Sequence, residues 1–137
     1  MIFESTITFV KVDNKGNDKV VKNQFIHESA ELFGEVEAKL YEYYGTLADF
    51  NVVAIKKSKI TEIVNHRVEE GERIFIADLA QYFVDEETEE EKVTMYKMAL
   101  YANNYDEAYK RILEYLKQGY EGLEVVSLKK TNITDIL

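Results

Sequence analysis

Residues 52–64, VVAIKKSKITEIV, return almost unchanged as residues 125–137, VVSLKKTNITDIL. Seven of the thirteen aligned positions are identical: Val52/Val125, Val53/Val126, Lys56/Lys129, Lys57/Lys130, Ile60/Ile133, Thr61/Thr134 and Ile63/Ile136. Five more are conservative, and only Lys59/Asn132 changes character. Agreement this dense marks the chain as a tandem duplication, so its fold must accommodate one unit twice.

The unit is legible upstream of each copy. Residues 2–12 (IFESTITFVKV) alternate as a half-buried strand, with Phe3, Ile7 and Phe9 on one face. Asp13-Asn14-Lys15-Gly16-Asn17-Asp18 reads as a hairpin turn, and residues 19–28 as the returning strand. Val36, Leu40, Tyr43 and Tyr44 then fall on one face of a helix over about 34–45, with Gly34 at its N-cap. Residues 51–57 form a third strand and KITEIV a short closing element. The plan restarts at residue 74. IFIADLAQYFV (74–84) matches 2–12, the acidic run Asp85–Glu91 replaces the hairpin tip, and KVTMYKMALY (92–101) returns. Asp106 is the expected N-cap of a helix to about 118 whose face is Ala108, Ile112, Tyr115 and Leu116.

Each repeat is thus β-β-α-β with a closing element, 1–64 and 74–137, joined by the polar linker 65–73 (NHRVEEGER) as the seam. One amphipathic helix per three strands predicts an α+β fold. Its expected form is antiparallel sheet with two helices on one face about a pseudo-two-fold axis, six or more strands in all. The absence of proline suits continuous strands. A half of about 64 residues has a marginal core on its own, so the halves are expected to integrate into one domain or a homo-oligomer.

With no cysteine in 137 residues, disulfides, thiolate catalysis and cysteine zinc sites are excluded. No apolar run reaches the ~18 residues of a membrane helix, and the N-terminal segment lacks the pattern of a signal peptide, so a cytoplasmic protein is expected. The net charge of −9 is uneven, with 13 acidic against 7 basic side chains in residues 74–137. Such a surface disfavours broad attraction to nucleic acid but leaves room for a local basic groove.

The segments IFESTITF, FGEVEAKL, IKKSKITEIV, FVDEETEEEKV and LKKTNITDI resemble an uncharacterised family of domains of unknown function, numbered forty-four ninety-four. That family occurs in Bacteroidetes and the phages that infect them. The resemblance covers nearly the whole chain. The family opens each repeat with Trp-Phe or Trp-Tyr, where this chain has Ile2-Phe3 and Ile74-Phe75. Its helix starts Phe-Thr-Glu-Ala, where this chain has Phe33-Gly34-Glu35-Val36. These departures point to a distant, phage-encoded member. The resemblance implies no activity and carries over no functional residue.

Lys56-Lys57 and Lys129-Lys130 carry the strongest functional signal. Two symmetric pairs would put four positive charges on an acidic protein, and Tyr82 and Tyr96 would supply stacking surfaces for a single-stranded backbone. Lysines that guard a sheet edge against aggregation give the same pattern. The acidic run reads as a solvated hairpin tip, or as a hook (Glu86, Glu87, Glu89, Glu90, Glu91) for a basic partner. Tyr43, Tyr44 and Tyr115 read as packing residues, and Tyr41, Tyr109 and Tyr120 as outward-facing. DNKGND has its glycine at the wrong position for a calcium loop. His27 and His66 stand isolated, without clustered carboxylates, so neither a metal nor acid–base chemistry is expected. No cofactor motif is apparent.

The resulting expectation is a non-enzymatic, homo-oligomeric binding protein. Its leading ligand is single-stranded nucleic acid or a nucleotide, held across the lysine-bearing strands. The alternative is a protein-interaction module, or an inhibitor of a host or defence protein, acting through the acidic surface.

Overall fold

The computed structural model describes residues 1–45, 49–120 and 122–137. It is an α+β protein in which the described residues form, in chain order, β1 (Phe3–Val12), β2 (Asp18–His27), α1 (Phe33–Tyr44), β3 (Asn51–Lys57), β4 (Ile60–Ile63), β5 (Arg73–Val84), β6 (Glu91–Ala102), α2 (Tyr105–Leu116), β7 (Leu123–Lys130) and β8 (Asp135–Ile136). Two four-stranded sheets result, ordered β3-β1-β2-β8 and β4-β6-β5-β7, each with its own helix. They belong to two compact units, Met1–Ser58 with Ile133–Leu137, and Lys59–Asn132.

These units are not the two halves of the sequence. β4 closes the first half but pairs in parallel with β6, and β8 closes the second half but pairs in parallel with β2. Each sheet is completed by the closing strand of the other half. The expected seam at 65–73 accordingly lies inside the second unit. Short parallel strands need a distant crossover, which exchange between halves supplies.

In the first unit, alternation along β1 sends Phe3, Ser5 and Ile7 inward, against Phe25 of β2 and Val36 and Leu40 of α1. Tyr44 and Phe50 close the margin of this core, their ring centroids 4.8 Å apart. Tyr43, expected to be packed, is largely exposed but meets Phe25 edge-on at 5.1 Å. α1 starts one residue before the expected cap. Phe33 stacks edge-on against Phe3 at 5.2 Å, which places Leu32 at the cap with no side-chain acceptor.

In the second unit, Phe75, Ala77 and Leu79 of β5 and Met98, Leu100 and Ala102 of β6 meet Ala108, Ile112 and Leu116 of α2. The cap of α2 is Asn104 rather than Asp106, and its side chain accepts the Glu107 N–H at 2.9 Å. Tyr105 fixes this start by meeting Phe75 edge-on at 5.1 Å. Asp106 then falls in the first turn, where a negative charge favours the helix dipole.

The polar stretch after β4 is an ordered clasp rather than a free linker. Asn65 copies a strand residue, exchanging hydrogen bonds of 3.1 Å with both the C=O and the N–H of Tyr101. The Arg67 guanidinium lies 4.7 Å over the Tyr101 ring. Glu72, only 2% exposed, accepts from the Val68 and Glu69 N–H groups at 2.6 and 3.0 Å and from Arg111 at 2.6 Å. Burial pushes the Glu72 carboxyl up, but those N–H groups and the Arg111 charge outweigh it and hold it below its usual range. This carboxylate's stabilising contribution is therefore present at neutral pH and is lost as pH falls through its lowered value.

Two outcomes follow from this architecture. Arg111→Met strands a buried carboxylate and is expected to lower the free energy of unfolding by about 3 kcal/mol, read by denaturant titration at pH 7. Deleting residues 133–137 removes the Thr134 and Leu137 N–H bonds to Gln24 and Ile26, both 2.7 Å. It should strip hydrogen-exchange protection from β2 while the β5–β6 amides keep theirs. Unchanged β2 protection would show that β8 contributes nothing to that sheet.

Candidate functional site

The lysine pairs close β3 and β7, which are edge strands of different sheets. Phe3 stands opposite Lys57 and Phe75 opposite Lys130, so these two lysines share the helix-side face with the phenylalanines. Lys56, opposite Glu4, and Lys129, opposite Ile76, take the other face. Lys56 is already 3.8 Å from the Glu4 carboxylate. Tyr96 is opposite Leu79 on the helix side, whereas Tyr82 faces away from the helix. Of the six residues expected to form one ligand surface, the first unit holds Lys56 and Lys57. The second holds Lys129, Lys130, Tyr82 and Tyr96, with the tyrosines on opposite faces.

A bulge explains the repeated valine pair. Thr6 pairs with Ala54 and Ile7 with Val52, leaving Val53 unpaired; Asp78 pairs with Ser127 and Leu79 with Val125, leaving Val126. The extra residue shifts the alternation by one, so that Val52 and Ile55, and likewise Val125 and Leu128, reach the same core despite a spacing of three. Val53 and Val126, 60% and 53% exposed, are the surplus residues.

Three polar clusters appear that no sequence spacing announced. On β5, Asp78 accepts from Lys97 Nζ and Ser127 Oγ, each at 2.8 Å. The Lys97 hydrogen bond, chiefly, holds its carboxyl below the usual range against a burial cost. The Glu62 carboxylate accepts the Tyr115 and Tyr120 hydroxyls at 2.6 and 2.5 Å beside a cavity of about 250 Å³ that Gln81 and Tyr96 also line. Its negative charge raises both phenols above their ordinary value. Tyr120, expected to face outward, is half-buried for this reason, while Tyr41 and Tyr109 are exposed as expected.

The third cluster is Ser5 with His27, Oγ to Nε2 at 2.8 Å beneath α1. Antiparallel register brings together residues 22 apart, which is why His27 looked isolated. Burial lowers the imidazole from 6.5 to about 4, so it is neutral at pH 7. Its Nδ1 is buried with no partner among the described residues, and the ring lines a cavity of about 270 Å³ together with Ser29, Glu35, Lys39 and Glu42. Ser5 is itself buried and no carboxylate among the described residues orients the ring, so the pair lacks the exposed nucleophile and third member of a hydrolytic triad. Among the described residues no group of three or more His, Asp or Glu is arranged to hold a metal. No described helix is long and apolar enough to cross a membrane.

The β5–β6 hairpin differs from these clusters in facing solvent. β7 follows β5 only as far as Gln81, so the hairpin runs on as a two-stranded ribbon. Tyr82 pairs with Val93 and Val84 with Glu91, on the face away from the helix that Met95 shares. Tyr82, Val84, Val93 and Met95 are each at least half exposed. At the tip, Asp85 holds the turn by accepting the Glu87 N–H at 2.9 Å and pairing with Lys92 at 3.0 Å. Glu89 takes a positive φ of 59°, the position that Gly16 fills in the other hairpin. Glu86, Glu87, Glu89, Glu90 and Glu91 are exposed and make no ion pair among the described residues.

His27 gives a pH test of the buried pair. Its unfolded form takes up a proton near pH 6.5 and its folded form only near 4, so the stability it supports is full above 6.5 and falls as pH drops to 4. Relative to His27→Gln, the wild type should lose up to about 3 kcal/mol over that window. Parallel stability profiles for the two proteins would remove burial of His27 as the cause.

No curated protein and no solved structure matches the chain. A family does match, over residues 1–137, under the description Domain of unknown function (DUF4494). With the whole length, residues 1–137, aligned to it, the chain belongs to that family.

Proposed function

We propose that the chain is a non-enzymatic protein-interaction module whose contact surface is the β5–β6 hairpin. One observation carries this reading: an exposed apolar strip, Tyr82, Val84, Val93 and Met95, ends in five glutamates that make no ion pair among the described residues. Apolar residues give a contact its energy, and a ring of one charge selects the partner and speeds encounter. The complementary surface is basic with an apolar centre. The part-buried carboxylates support a non-catalytic reading, because Asp78 and Glu62 spend their acceptor capacity on neighbours within the chain.

Binding of single-stranded nucleic acid across the lysine-bearing strands draws less from this geometry. Lys56 has a counter-charge in Glu4, Lys129 lies in the field of Asp78, and both pairs stand where edge protection needs them.

A photo-crosslinking amino acid at position 86 or 93, in lysate of the source cell, is expected to give a discrete protein adduct. Changing the five glutamates to Gln, or raising salt, should abolish it, and a probe at Tyr109 should give none. Equal labelling at all three positions would sink the proposal. So would tight oligonucleotide binding, read by fluorescence anisotropy, that disappears when the four lysines become Ala.

A further inference from the structure

We infer that the partner of the acidic β5–β6 hairpin is the β1–β2 hairpin of a second copy of this chain. The inference rests on the reading that the β5–β6 hairpin is a protein contact surface, and it names what that surface receives. The β1–β2 hairpin is the same device with the charge inverted. β3 follows β1 only as far as Thr8, so residues beyond it run on as a two-stranded ribbon. Val10 pairs with Val20 and Val12 with Asp18 on the face away from the helix. All three valines are more than 60% exposed. Between Val10 and Lys22 the ribbon carries four lysines against Asp13 and Asp18. Between Tyr82 and Met95 the other carries six carboxylates against Lys92.

The basic ribbon is internally unbalanced. Lys11 stands directly opposite Lys19, and like charges in that relation repel. Neither these two nor Lys15 and Lys22 make an ion pair among the described residues, and the Asp13 carboxylate is engaged by the Lys15 and Asn17 N–H groups at 2.8 and 2.9 Å. A counter-charge from outside the ribbon relieves that repulsion. The glutamates of Asp85–Glu91 offer it, and the two valine-rich faces offer the apolar contact beside it. A docking of one hairpin on a different hairpin can close on itself by a two-fold or propagate. It therefore builds either a reciprocal pair or a head-to-tail series of copies. Each ribbon is small against the ~800 Å² per partner of a stable interface, so a single contact is weak and the mass depends on concentration and salt.

Sedimentation velocity of the full chain over a concentration series tests this. The expected result is an average mass that rises with concentration at low salt and returns to the monomer at high salt. Lys11→Glu/Lys19→Glu/Lys22→Glu and Glu86→Lys/Glu87→Lys/Glu90→Lys should each be monomeric alone, because each leaves two hairpins of one sign. Mixed, the two variants should associate, and a chain carrying both sets should regain self-association. Gln versions of both sets, checked by circular dichroism for an unchanged fold, should weaken association about tenfold or more. A wild type that stays monomeric throughout overturns the inference. If the hairpin crosslinks to another protein persist in that case, the interaction-module reading survives; if they are absent too, both fall. Self-association that ignores both charge reversals also overturns it.

Discussion

The parallel pairing of the closing strands is the constraint on which the rest of the structure depends. β4 and β8 are only four and two residues long, yet each lies along a strand that would otherwise be an open edge. Open edges recruit other chains, and short covering strands are one remedy. Because the covering strand comes from the other half, neither half can satisfy its own sheet. Thr134 and Leu137 donate to Gln24 and Ile26, so the C-terminal residues are part of the first unit's hydrogen bonding. The same demand explains the clasp after β4. A chain delivered to β6 must then turn back to begin β5, and Asn65, Arg67 and Glu72 satisfy the backbone and charges of that turn.

Local elements were legible because each carried its own period. The alternation of Phe3 and Ile7, the helical spacing of Val36 with Leu40 and of Ala108, Ile112 and Leu116, and the turn chemistry of Asp13–Asp18 all placed residues where the structure has them. Helix starts were less legible because the capping signal competes with packing. Phe33 and Tyr105 dock on Phe3 and Phe75, and that contact, rather than the nearest good cap residue, decides where each helix begins. The exchange of strands was illegible in principle. KITEIV and NITDIL read only as a short closing element, a strand or a turn of helix, and nothing in a short apolar pattern specifies which sheet receives it.

The site residues divide along the same line. Lys56-Lys57 and Lys129-Lys130 stood out because they recur, yet recurrence here reports the shared edge and bulge of β3 and β7. Ser5 with His27, and Glu62 with Tyr115 and Tyr120, are pairings across 22, 53 and 58 residues. Register and the exchanged strand create those pairings, so no spacing rule could have found them. The acidic hairpin was visible as a charge run, but its apolar strip was not. In the sequence Tyr82 reads as a stacking surface alongside Tyr96; its place in a strip with Val84, Val93 and Met95 emerges only once β7 is seen to stop at Gln81 and leave that ribbon without a third strand.

The β1–β2 and β5–β6 hairpins carry net charges of opposite sign. The two ribbons hold matching places in their sheets: each extends past a bulged third strand, and each turns its apolar pair away from the helix. Solubility alone would favour polar residues at Val10, Val20, Tyr82 and Val93, since nothing in a solvated ribbon requires apolar ones there. Their retention on both ribbons separates the apolar feature from the charge, which differs in sign. A surface meant only to repel other copies would carry one sign on both ribbons, as charges placed on exposed strands to keep copies apart do. Opposite signs on two apolar ribbons make attraction between unlike hairpins and repulsion between like ones, which is the condition for a contact that is specific before it is strong.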